Sequence, residues 1–325
     1  MPQERESGAA LLSVLMVVAA MSVVALVSVE AIARATRLAQ LTSTRTDVFW
    51  FARSAEAAGK VYVSDLYELT NGRLSDATPR IGEPITQVTE TGALTARLDD
   101  ATNCFNLNAL VEPSDIGWTV QPAALGQLET LFSAMGLGQY ESDQMAHALA
   151  DWIDSDTVSR PSGAEDGYYG GLEPSYRTPG GLLENIREVK AVGPFDGERY
   201  RMAKTVLCVR PDRNQSVLNV NTLQPEQAGL LTALFSSELE PEIARQLIAS
   251  RPLGGWPTID AFLALEPITE IASDAMSVST VDVVSSHFSI LGEVSTSGQI
   301  TRFELLYGID NDSSAALLWR RYGDD

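Results

Sequence analysis

The chain has 325 residues, of which 45% are apolar, enough to bury a core and to argue against a disordered protein. Its 43 acidic residues outnumber its 23 basic ones. The resulting net charge of -20 disfavours nucleic acid or an anionic membrane surface as partner, and it favours a divalent cation. Two cysteines are too few for a disulfide-rich scaffold or a zinc site with four thiolates.

The N-terminus carries a long apolar segment behind a polar leader. Residues 1–8 are polar, and residues 9–29 then contain no charge, about the length of a membrane-spanning helix. A cleaved secretory signal is the alternative, but it would have a shorter apolar region, whereas here no proline or glycine interrupts the chain from Ala9 to Ala58. Apolar residues spaced by three or four between positions 51 and 69 continue the helical pattern. We therefore predict one helix of about 60 residues, anchored in a membrane by its first third.

These features resemble the N-terminus of a type IV prepilin or a type II secretion pseudopilin. In that family a prepilin peptidase cuts after the last glycine of the leader, here Gly8, and methylates the new N-terminus, here Ala9. The leader of this chain departs from the pattern because it is not basic. Most members carry glutamate at the fifth mature position, where this chain has Ser13. The K-type minor pseudopilins typically lack that glutamate and are larger than their relatives, so the resemblance points to this type.

Short β-type runs flank a helical middle region. Runs at 85–89, 94–98 and 104–107 precede it, and runs at 287–294 and 300–307 follow it, joined by a turn of hairpin length. This pattern predicts an α+β fold with a small sheet, split in sequence, that holds an insertion. The resemblance implies a type IV pilin-like fold, a long helix packed on a small antiparallel sheet, with a large, mostly helical inserted domain.

The sequence patterns, together with what the resemblance implies, divide the chain into five parts. The last three parts are the soluble ones, and the sheet is shared between two of them. The parts are a leader (1–8), a membrane-spanning segment (9–29), the rest of the long helix with the first strands (30–108), the inserted helical domain (109–280), and the C-terminal strands that complete the sheet (281–325).

The insertion contains an internal repeat. Each copy has an Asn-x-Asn motif, at Asn106 and Asn108 and at Asn219 and Asn221, followed by two helical runs. Because asparagine side chains satisfy free N–H groups at helix starts, we predict helix caps there. The second copy also matches a helix-hairpin-helix DNA-binding module in outline, although its expected hairpin at 236–241 lacks glycine and carries two glutamates. A membrane-anchored DNA-binding protein of the competence type is thus the alternative function, while we expect no nucleic-acid partner.

The densest acidic segment lies in the first copy. Carboxylates at the end of a helical run are followed about ten residues later by two more, across a glycine-containing loop. Calcium takes six to eight oxygen ligands, often from carboxylates close in sequence, whereas magnesium uses fewer protein ligands. A solvated acidic loop is the alternative, and the resemblance to K-type pseudopilins implies calcium in this loop. The predicted ligands are Asp154, Asp156, Glu165 and Asp166, with Asp151 as a further candidate.

The chain has two cysteines and none of the common catalytic motifs. In a periplasmic domain Cys104 and Cys208 can form a disulfide, with two free buried thiols as the alternative. The sequence has no nucleophile elbow, P-loop, zinc-protease or C-x-x-C motif, so we predict that the protein is not an enzyme. A membrane-anchored hydrolase that uses carboxylates is the rival of the enzyme class.

The resemblance implies a mechanical role in protein export. A K-type minor pseudopilin caps the tip of the periplasmic pseudopilus in complex with the I- and J-type minor pseudopilins and helps start its assembly. The major pseudopilin and the prepilin peptidase are the other implied partners. The implied location is the bacterial inner membrane, crossed once, with the C-terminal domain in the periplasm. In this family the glutamate is thought to pair with the N-terminal amine of the neighbouring subunit. Ser13 therefore fits a tip position, because no preceding subunit is present there to pair with a carboxylate.

Overall fold

A computed structural model describes residues 4–90, 92–115, 117–215, 217–235, 238–271, 280–296 and 299–323. One long N-terminal helix lies beside a five-stranded antiparallel sheet, and a mostly helical insertion separates the second strand of that sheet from the third. The predicted α+β class and the sheet split in sequence are confirmed.

The helices and strands of the described residues follow one another in this order. The helices are α1 (Glu4–Thr70), α2 (Pro122–Ala134), α3 (Gln139–Ile153), α4 (Asp166–Tyr169), α5 (Gly197–Ala203), α6 (Ala228–Leu234), α7 (Pro241–Ala249), α8 (Ile259–Leu263) and α9 (Ile268–Ile271). The strands are β1 (Pro84–Val88), β2 (Ala93–Asp100), β3 (Phe105–Asn106), β4 (Val111–Ser114), β5 (Gly117–Val120), β6 (Leu207–Cys208), β7 (Leu218–Asn219), β8 (Val281–Asp282), β9 (His287–Thr296), β10 (Gln299–Ile309) and β11 (Ala315–Tyr322). Short 3-10 helices occupy Leu107–Leu110, Ile186–Ala191 and Pro225–Gln227.

The first half of α1 is an apolar rod. Its segment Leu11–Ala39 is long and apolar enough to cross a membrane, with a mean hydropathy of 2.6, and it is exposed along its length. This segment extends ten residues beyond the predicted 9–29 and includes Glu30 and Arg34, which form an ion pair one turn apart. Pairing lowers the free energy of placing both charges near lipid. The predicted processing positions, Gly8 and Ala9, lie near the start of α1, and cleavage there stays a prediction.

The second half of α1 packs on one face of the sheet, whose strands run in the order β1-β2-β9-β10-β11. Burial along β9 alternates with a period of two, as expected for a strand covered on one side. The hydroxyl of Tyr307 on β10 donates a hydrogen bond to the carbonyl of Glu56 on α1 at 2.8 Å. Ser64 Oγ accepts one from the backbone N–H of Ala315 on β11 at 2.9 Å. Helix and sheet therefore share one core.

Gly59 lets α1 approach the sheet closely. A Cβ built on Gly59 would lie 2.4 Å from Cδ1 of Ile290 and 2.9 Å from the hydroxyl of Tyr307. We expect Gly59→Ala to lower the free energy of unfolding by about 1–2 kcal/mol, because overpacking outweighs the gain in helix propensity. Gly126 in α2 is the matched control, since no atom lies within 4 Å of its added Cβ. Gly126→Ala should raise the free energy of unfolding by about 0.5–1 kcal/mol. Urea denaturation of the full chain in detergent measures both changes. An equal gain in stability for the two variants would contradict the close contact at Gly59.

The predicted strands are confirmed with two differences. The runs at 85–89, 94–98, 287–294 and 300–307 correspond to β1, β2, β9 and β10. The predicted strand at 104–107 is wrong beyond residue 106, because the following residues turn into a 3-10 helix. Strand β3 also pairs with β6 and not with the five-stranded sheet, so the insertion begins after β2 and not at the predicted residue 109. Strand β11 and the β4–β5 hairpin were not predicted, since neither run shows a clean polar-apolar alternation.

The insertion is built from two similar halves. In the first half β3 pairs in parallel with β6, and in the second half β7 pairs in parallel with β8. Two helices follow the first strand of each half, α2 and α3 in one and α6 and α7 in the other, so the predicted internal repeat is confirmed. The halves meet where α2 packs against α6, and Gly229 allows this approach, since its Cβ would lie 3.2 Å from Leu131.

Buried polar groups join the insertion to the sheet. The guanidinium of Arg210 donates to the carbonyls of Ala101 and Thr102, at 2.8 and 3.0 Å, just beyond the end of β2. Burial lowers the pKa of Arg210 to about 10, so the side chain keeps its charge at neutral pH. On the other connection, Asn219 donates to Oγ of Ser285 at 2.7 Å, and Ser285 donates to Asp100 at 2.6 Å. The insertion is thus anchored where the chain leaves and re-enters the sheet.

Candidate functional site

The predicted carboxylates lie on the loop that runs from the end of α3 to the start of α4. Asp151 is in the last turn of α3, and Asp154 is its C-cap residue. Glu165 is the N-cap residue of α4 and accepts a hydrogen bond from the backbone N–H of Asp166 at 3.3 Å. Two helix ends therefore bring these carboxylates together, although α4 is a single turn.

Three carboxylates form a compact cluster. Asp154, Asp156 and Glu165 each place an oxygen within 4.8 Å of the other two. The side chains of Asp154 and Glu165 are buried, with 1% and 5% of their surfaces exposed, whereas Asp156 is exposed. The cluster is thus closed on the protein side and open to solvent at Asp156. We call these three residues the carboxylate cluster.

Two oxygens of the carboxylate cluster have no hydrogen-bond partner among the described residues. They are Oδ1 of Asp154 and Oε1 of Glu165, both fully buried. Burial raises the pKa of Asp154 to about 6, although Arg160 opposes the shift. Burial also raises the pKa of Glu165 to about 7, and repulsion from Asp151 and Asp154 adds to the effect. Buried polar atoms are normally satisfied, so these two oxygens are available as acceptors for a proton or a cation.

Arg160 is a part of the site that the sequence analysis missed. Its Nη1 donates to Oδ1 of Asp151 at 2.5 Å and to Oδ2 of Asp154 at 2.7 Å. Its backbone N–H donates to Oδ2 of Asp151 at 3.1 Å. A Cβ at Gly163 would lie 2.0 Å from that same oxygen, so the loop needs glycine there. Asp151 therefore binds the loop backbone and Arg160, and it orients the loop without joining the carboxylate cluster.

Asp166 also lies outside the carboxylate cluster. Its Oδ1 accepts hydrogen bonds from the backbone N–H and the hydroxyl of Thr178, at 3.0 and 3.2 Å. The Thr178 hydroxyl also lies 3.2 Å from Oε2 of Glu165, to which it can donate instead. The structure therefore brings together three of the five predicted ligands and places Asp151 and Asp166 beside them, in contact with the loop.

Aromatic rings hold α4 against the rest of the insertion. The ring of the buried Tyr169 lies 5.2 Å from that of Trp152 and 5.1 Å from that of Tyr176, centre to centre. The hydroxyl of Tyr169 accepts a hydrogen bond from the backbone N–H of Gly193 at 3.2 Å. Burial raises the pKa of Tyr169 to about 12, so the hydroxyl stays protonated at neutral pH. These contacts hold α4 in place, and they thereby position Glu165, which precedes the first residue of α4.

The Asn-x-Asn motifs have two different functions. Oδ1 of Asn106 accepts from the backbone N–H of Asn108 and caps the following 3-10 helix, as predicted. Asn219 makes the same contact with the N–H of Asn221, but it closes a turn rather than a helix. The cap prediction is therefore confirmed for Asn106 alone among the four asparagines. It is wrong for Asn219, which closes a turn, and for Asn108 and Asn221, whose side chains reach distant loops.

The second asparagine of each motif forms two hydrogen bonds with the backbone of a single residue, which lies shortly after a Gly-Gly pair. Asn108 accepts from the N–H of Leu183 at 2.9 Å and donates to its carbonyl at 2.9 Å. Asn221 does the same with Trp256, at 2.7 and 2.9 Å. In the first half this contact holds the segment that follows Gly180. Ser155, just after α3, donates to the carbonyl of Gly180 at 3.1 Å. The two contacts together fix the place where the chain returns from the acidic loop. The offset from the Gly-Gly pair differs between the halves, since Leu183 is the second residue after Gly181 whereas Trp256 directly follows Gly255.

The structure describes both cysteines and most of the candidate DNA-binding hairpin. Cys104 and Cys208 form a disulfide between the ends of β3 and β6, with Cα atoms 5.7 Å apart. The described part of the predicted hairpin exposes Glu238 and Glu240, while residues 236 and 237 lie outside the described residues. Exposed glutamates repel phosphate, which disfavours the DNA-binding alternative.

The chain is similar to known proteins along nearly its whole length. Two family models described as "Type II secretion system (T2SS), protein K" match residues 103–212 and 218–283, which are the two halves of the insertion. A type II secretion system protein K from Aeromonas hydrophila is 31% identical over 98% of both chains. Its counterpart from Klebsiella pneumoniae is 32% identical over 80% of this chain and 79% of its own. The fold is similar to a chain of the GspK-GspI-GspJ complex from enterotoxigenic Escherichia coli, with a TM-score of 0.74 and 26% identity over 88% of this chain and 99% of that one.

Proposed function

The chain belongs to the type II secretion system protein K family and is a minor pseudopilin of that system; from this premise we propose that it caps the tip of the periplasmic pseudopilus and helps start its assembly. The observation that carries the proposal is the similarity of almost the whole chain to a K protein that forms a complex with the I and J proteins. The I- and J-type minor pseudopilins are the partners proposed here for the tip.

The architecture supports a terminal position. Helix α1 packs on one face of a small antiparallel sheet, the arrangement expected of a pilin-like subunit. The insertion between β2 and β9 has a core of its own, so the chain is much bulkier than the helix and sheet alone. This bulk would block the addition of a further subunit beyond it. Ser13 in place of glutamate leaves no unmatched carboxylate at the tip.

Membrane insertion and processing complete the proposal. The apolar segment Leu11–Ala39 would anchor the subunit in the inner membrane before assembly and contact the major pseudopilin afterwards. The prepilin peptidase would cleave after Gly8 and methylate Ala9. The disulfide between Cys104 and Cys208 supports a periplasmic location for the soluble part, since disulfides persist in oxidising compartments.

Co-purification tests the proposed assembly. The full-length chain, its cognate I- and J-type proteins and a detergent would be combined, and the mixture separated by size-exclusion chromatography. We expect one species that contains all three chains, and no such species when an unrelated membrane protein with one apolar helix replaces the J-type protein. A chain that elutes alone in the presence of both partners would contradict the proposal.

We further propose that the carboxylate cluster binds calcium. The donors are all carboxylate oxygens, which suits a hard cation, and the two buried oxygens without a partner support this fit. Asp154, Asp156 and Glu165 would hold the ion, with Arg160, Asp151 and Thr178 positioning them. Asp154 already pairs with Arg160, so the ion would add positive charge for Glu165 and for the second oxygen of Asp154. It would also order the loop between α3 and α4.

Thermal melting with calcium or with a chelator tests the site. Calcium at about 100 times its Kd should stabilise the full chain by about 2.7 kcal/mol, seen as a higher Tm. We expect the double variant Asp154→Asn with Glu165→Gln to lose this shift. In chelator the variant should be about as stable as the natural chain. The neutral amides remove repulsion between buried carboxylates, which offsets the loss of the Asp154–Arg160 ion pair, and Arg160 keeps its pair with Asp151.

A control separates the site from general charge effects. Asp260→Asn with Glu270→Gln makes the same charge change at exposed positions of α8 and α9, and it should leave the calcium shift intact. Identical melting curves of the natural chain in calcium and in chelator would exclude the calcium site while leaving the tip proposal standing.

A further inference from the structure

A groove on the sheet face opposite α1 has the reverse charge of the chain as a whole. It has a volume of about 510 Å³, and four of its twelve lining residues are arginines, against two glutamates. The whole chain has only 23 basic residues among 325 and a net charge of -20. A groove with an excess of positive charge is therefore unexpected here. We call it the arginine groove; its arginines are Arg97, Arg187, Arg302 and Arg321.

Both the sheet and the insertion supply these arginines. Arg97, Arg302 and Arg321 come from β2, β10 and β11 and alternate with residues that face α1 or pack around it. Arg187 comes from the 3-10 helix Ile186–Ala191 of the insertion. It donates to the carbonyl of Gly323 at 3.4 Å, while Arg321 donates to the carbonyl of Glu184 on the insertion. The groove is thus preformed where the two parts of the fold meet.

Arginines of the groove form weak ion pairs with acidic side chains of the same chain. Carboxylates of a partner protein can take the place of these acidic side chains. Arg97 pairs with Asp99 at 2.8 Å and Arg302 with Glu293 at 3.1 Å, and all four side chains are partly exposed. Such exposed pairs contribute little to stability, so exchanging their partners costs little free energy. The guanidinium of Arg321 lies 3.7 Å from the centre of the Trp319 ring, which orients its plane. A planar, oriented guanidinium can bind a carboxylate through two parallel hydrogen bonds.

We propose that the arginine groove binds a carboxylate-rich peptide segment of another protein. Charge complementarity identifies this class of partner, because the groove offers several guanidinium groups around the partly exposed, apolar Leu291. A nucleic acid fits less well, since its phosphates extend beyond the groove and meet the negative field of the remaining chain. The groove shares no residue with the carboxylate cluster, and the proposal does not depend on the tip position.

Fluorescence anisotropy with two short peptides tests this inference on the full chain in neutral detergent. The probe is fluorescein-Gly-Asp-Glu-Asp-Glu-Gly, and its twin has Asn and Gln at the acidic positions. A chelator is present so that calcium cannot bridge carboxylates. We expect the acidic peptide to bind about tenfold more tightly than its twin, with affinity falling as salt is raised.

Matched variants locate the binding site. Arg302→Gln should weaken binding of the acidic peptide about tenfold, whereas Arg245→Gln should leave it unchanged. Arg245 is a fair control, because it is also about half exposed and also pairs with one glutamate, Glu242, but lies on α7. Arg187 and Arg321 are left intact, since they join the insertion to the sheet.

Several results would overturn the proposal. Equal affinity for both peptides, or an equal loss in the two arginine variants, would show that no specific site exists. Tighter binding of an eight-nucleotide oligothymidylate would assign the groove to nucleic acid. Binding that appears only after Asp324→Asn with Asp325→Asn would assign it to the acidic residues that follow Gly323 in this chain, which lie outside the described residues.

Discussion

Replacing Cys104 and Cys208 by serine is expected to lower the free energy of unfolding of the insertion by about 4 kcal/mol. The disulfide joins residues 104 positions apart, so it closes a loop that contains the whole first half of the insertion. In the chain-entropy account, the unfolded state of the variant regains the freedom that this closure removes. The bridge also lies where the insertion leaves the sheet, next to the buried Arg210, which donates to Cys104 Sγ at 3.3 Å.

Urea denaturation of the full chain in detergent, followed by near-UV circular dichroism, measures this loss. The natural chain, reduced and alkylated, should show a comparable shift of its midpoint, and reducing agent should not affect the double variant. A thiol assay on denatured, unreduced protein should detect no free thiol. Two free thiols per chain, or a double variant as stable as the natural chain, would contradict the prediction.

Asn108→Ala is expected to destabilise the insertion by about 3–5 kcal/mol. The change leaves three buried backbone groups without their side-chain partner: the N–H and carbonyl of Leu183 and the carbonyl of Arg210. Each unsatisfied buried group costs about 1–3 kcal/mol. The Leu183 segment also holds Gly180 against Ser155, so the acidic loop should lose order as well. We therefore expect weaker calcium binding in this variant, measured by titration calorimetry, together with a lower Tm.

Two further variants separate the amide contacts from general effects. Asn108→Asp keeps an acceptor for the N–H of Leu183, but it loses both donated bonds and places an acid at a buried position, so it should be at least as harmful. Asn214→Ala should change stability by about 0.5 kcal/mol or less, because Asn214 is exposed. A loss for Asn108→Ala no greater than that for Asn214→Ala would show that the bidentate contact is unimportant.

Much of the architecture could be predicted because it is written in local patterns. The uninterrupted apolar run and the stripe that follows it predicted α1, and the β-type runs at both ends predicted the split sheet. Repetition of Asn-x-Asn followed by two helical runs predicted the two halves of the insertion. These signals rest on the periods of helix and strand and on short motifs, which tertiary contacts modify little. The resemblance to K-type pseudopilins, which the family comparison confirmed, rests on the same features.

The carboxylate site could be predicted only in outline. Acidic residues on both sides of a glycine-containing loop identified the right segment, and the cluster of Asp154, Asp156 and Glu165 lies there. The sequence could not separate these three from Asp151 and Asp166, because all five are acids on the same loop. That distinction depends on which carboxylate oxygens the folded loop brings within 4.8 Å of one another. Asp151 and Asp166 instead accept hydrogen bonds from the backbone N–H groups of Arg160 and Thr178.

The sequence by itself determined the order of the elements, the membrane-compatible segment, the duplication and the position of the acidic loop, since each follows from residues close together in the chain. The tertiary structure alone decided the contact between Asn108 and Leu183, 75 residues apart, and the contact between Arg187 and Gly323, 136 residues apart. It also decided that scattered arginines of an acidic chain form one groove. The physical reason is that buried polar groups and surface charges take their partners from whatever the fold brings near, and strand pairing and helix packing bring together residues that no local period relates.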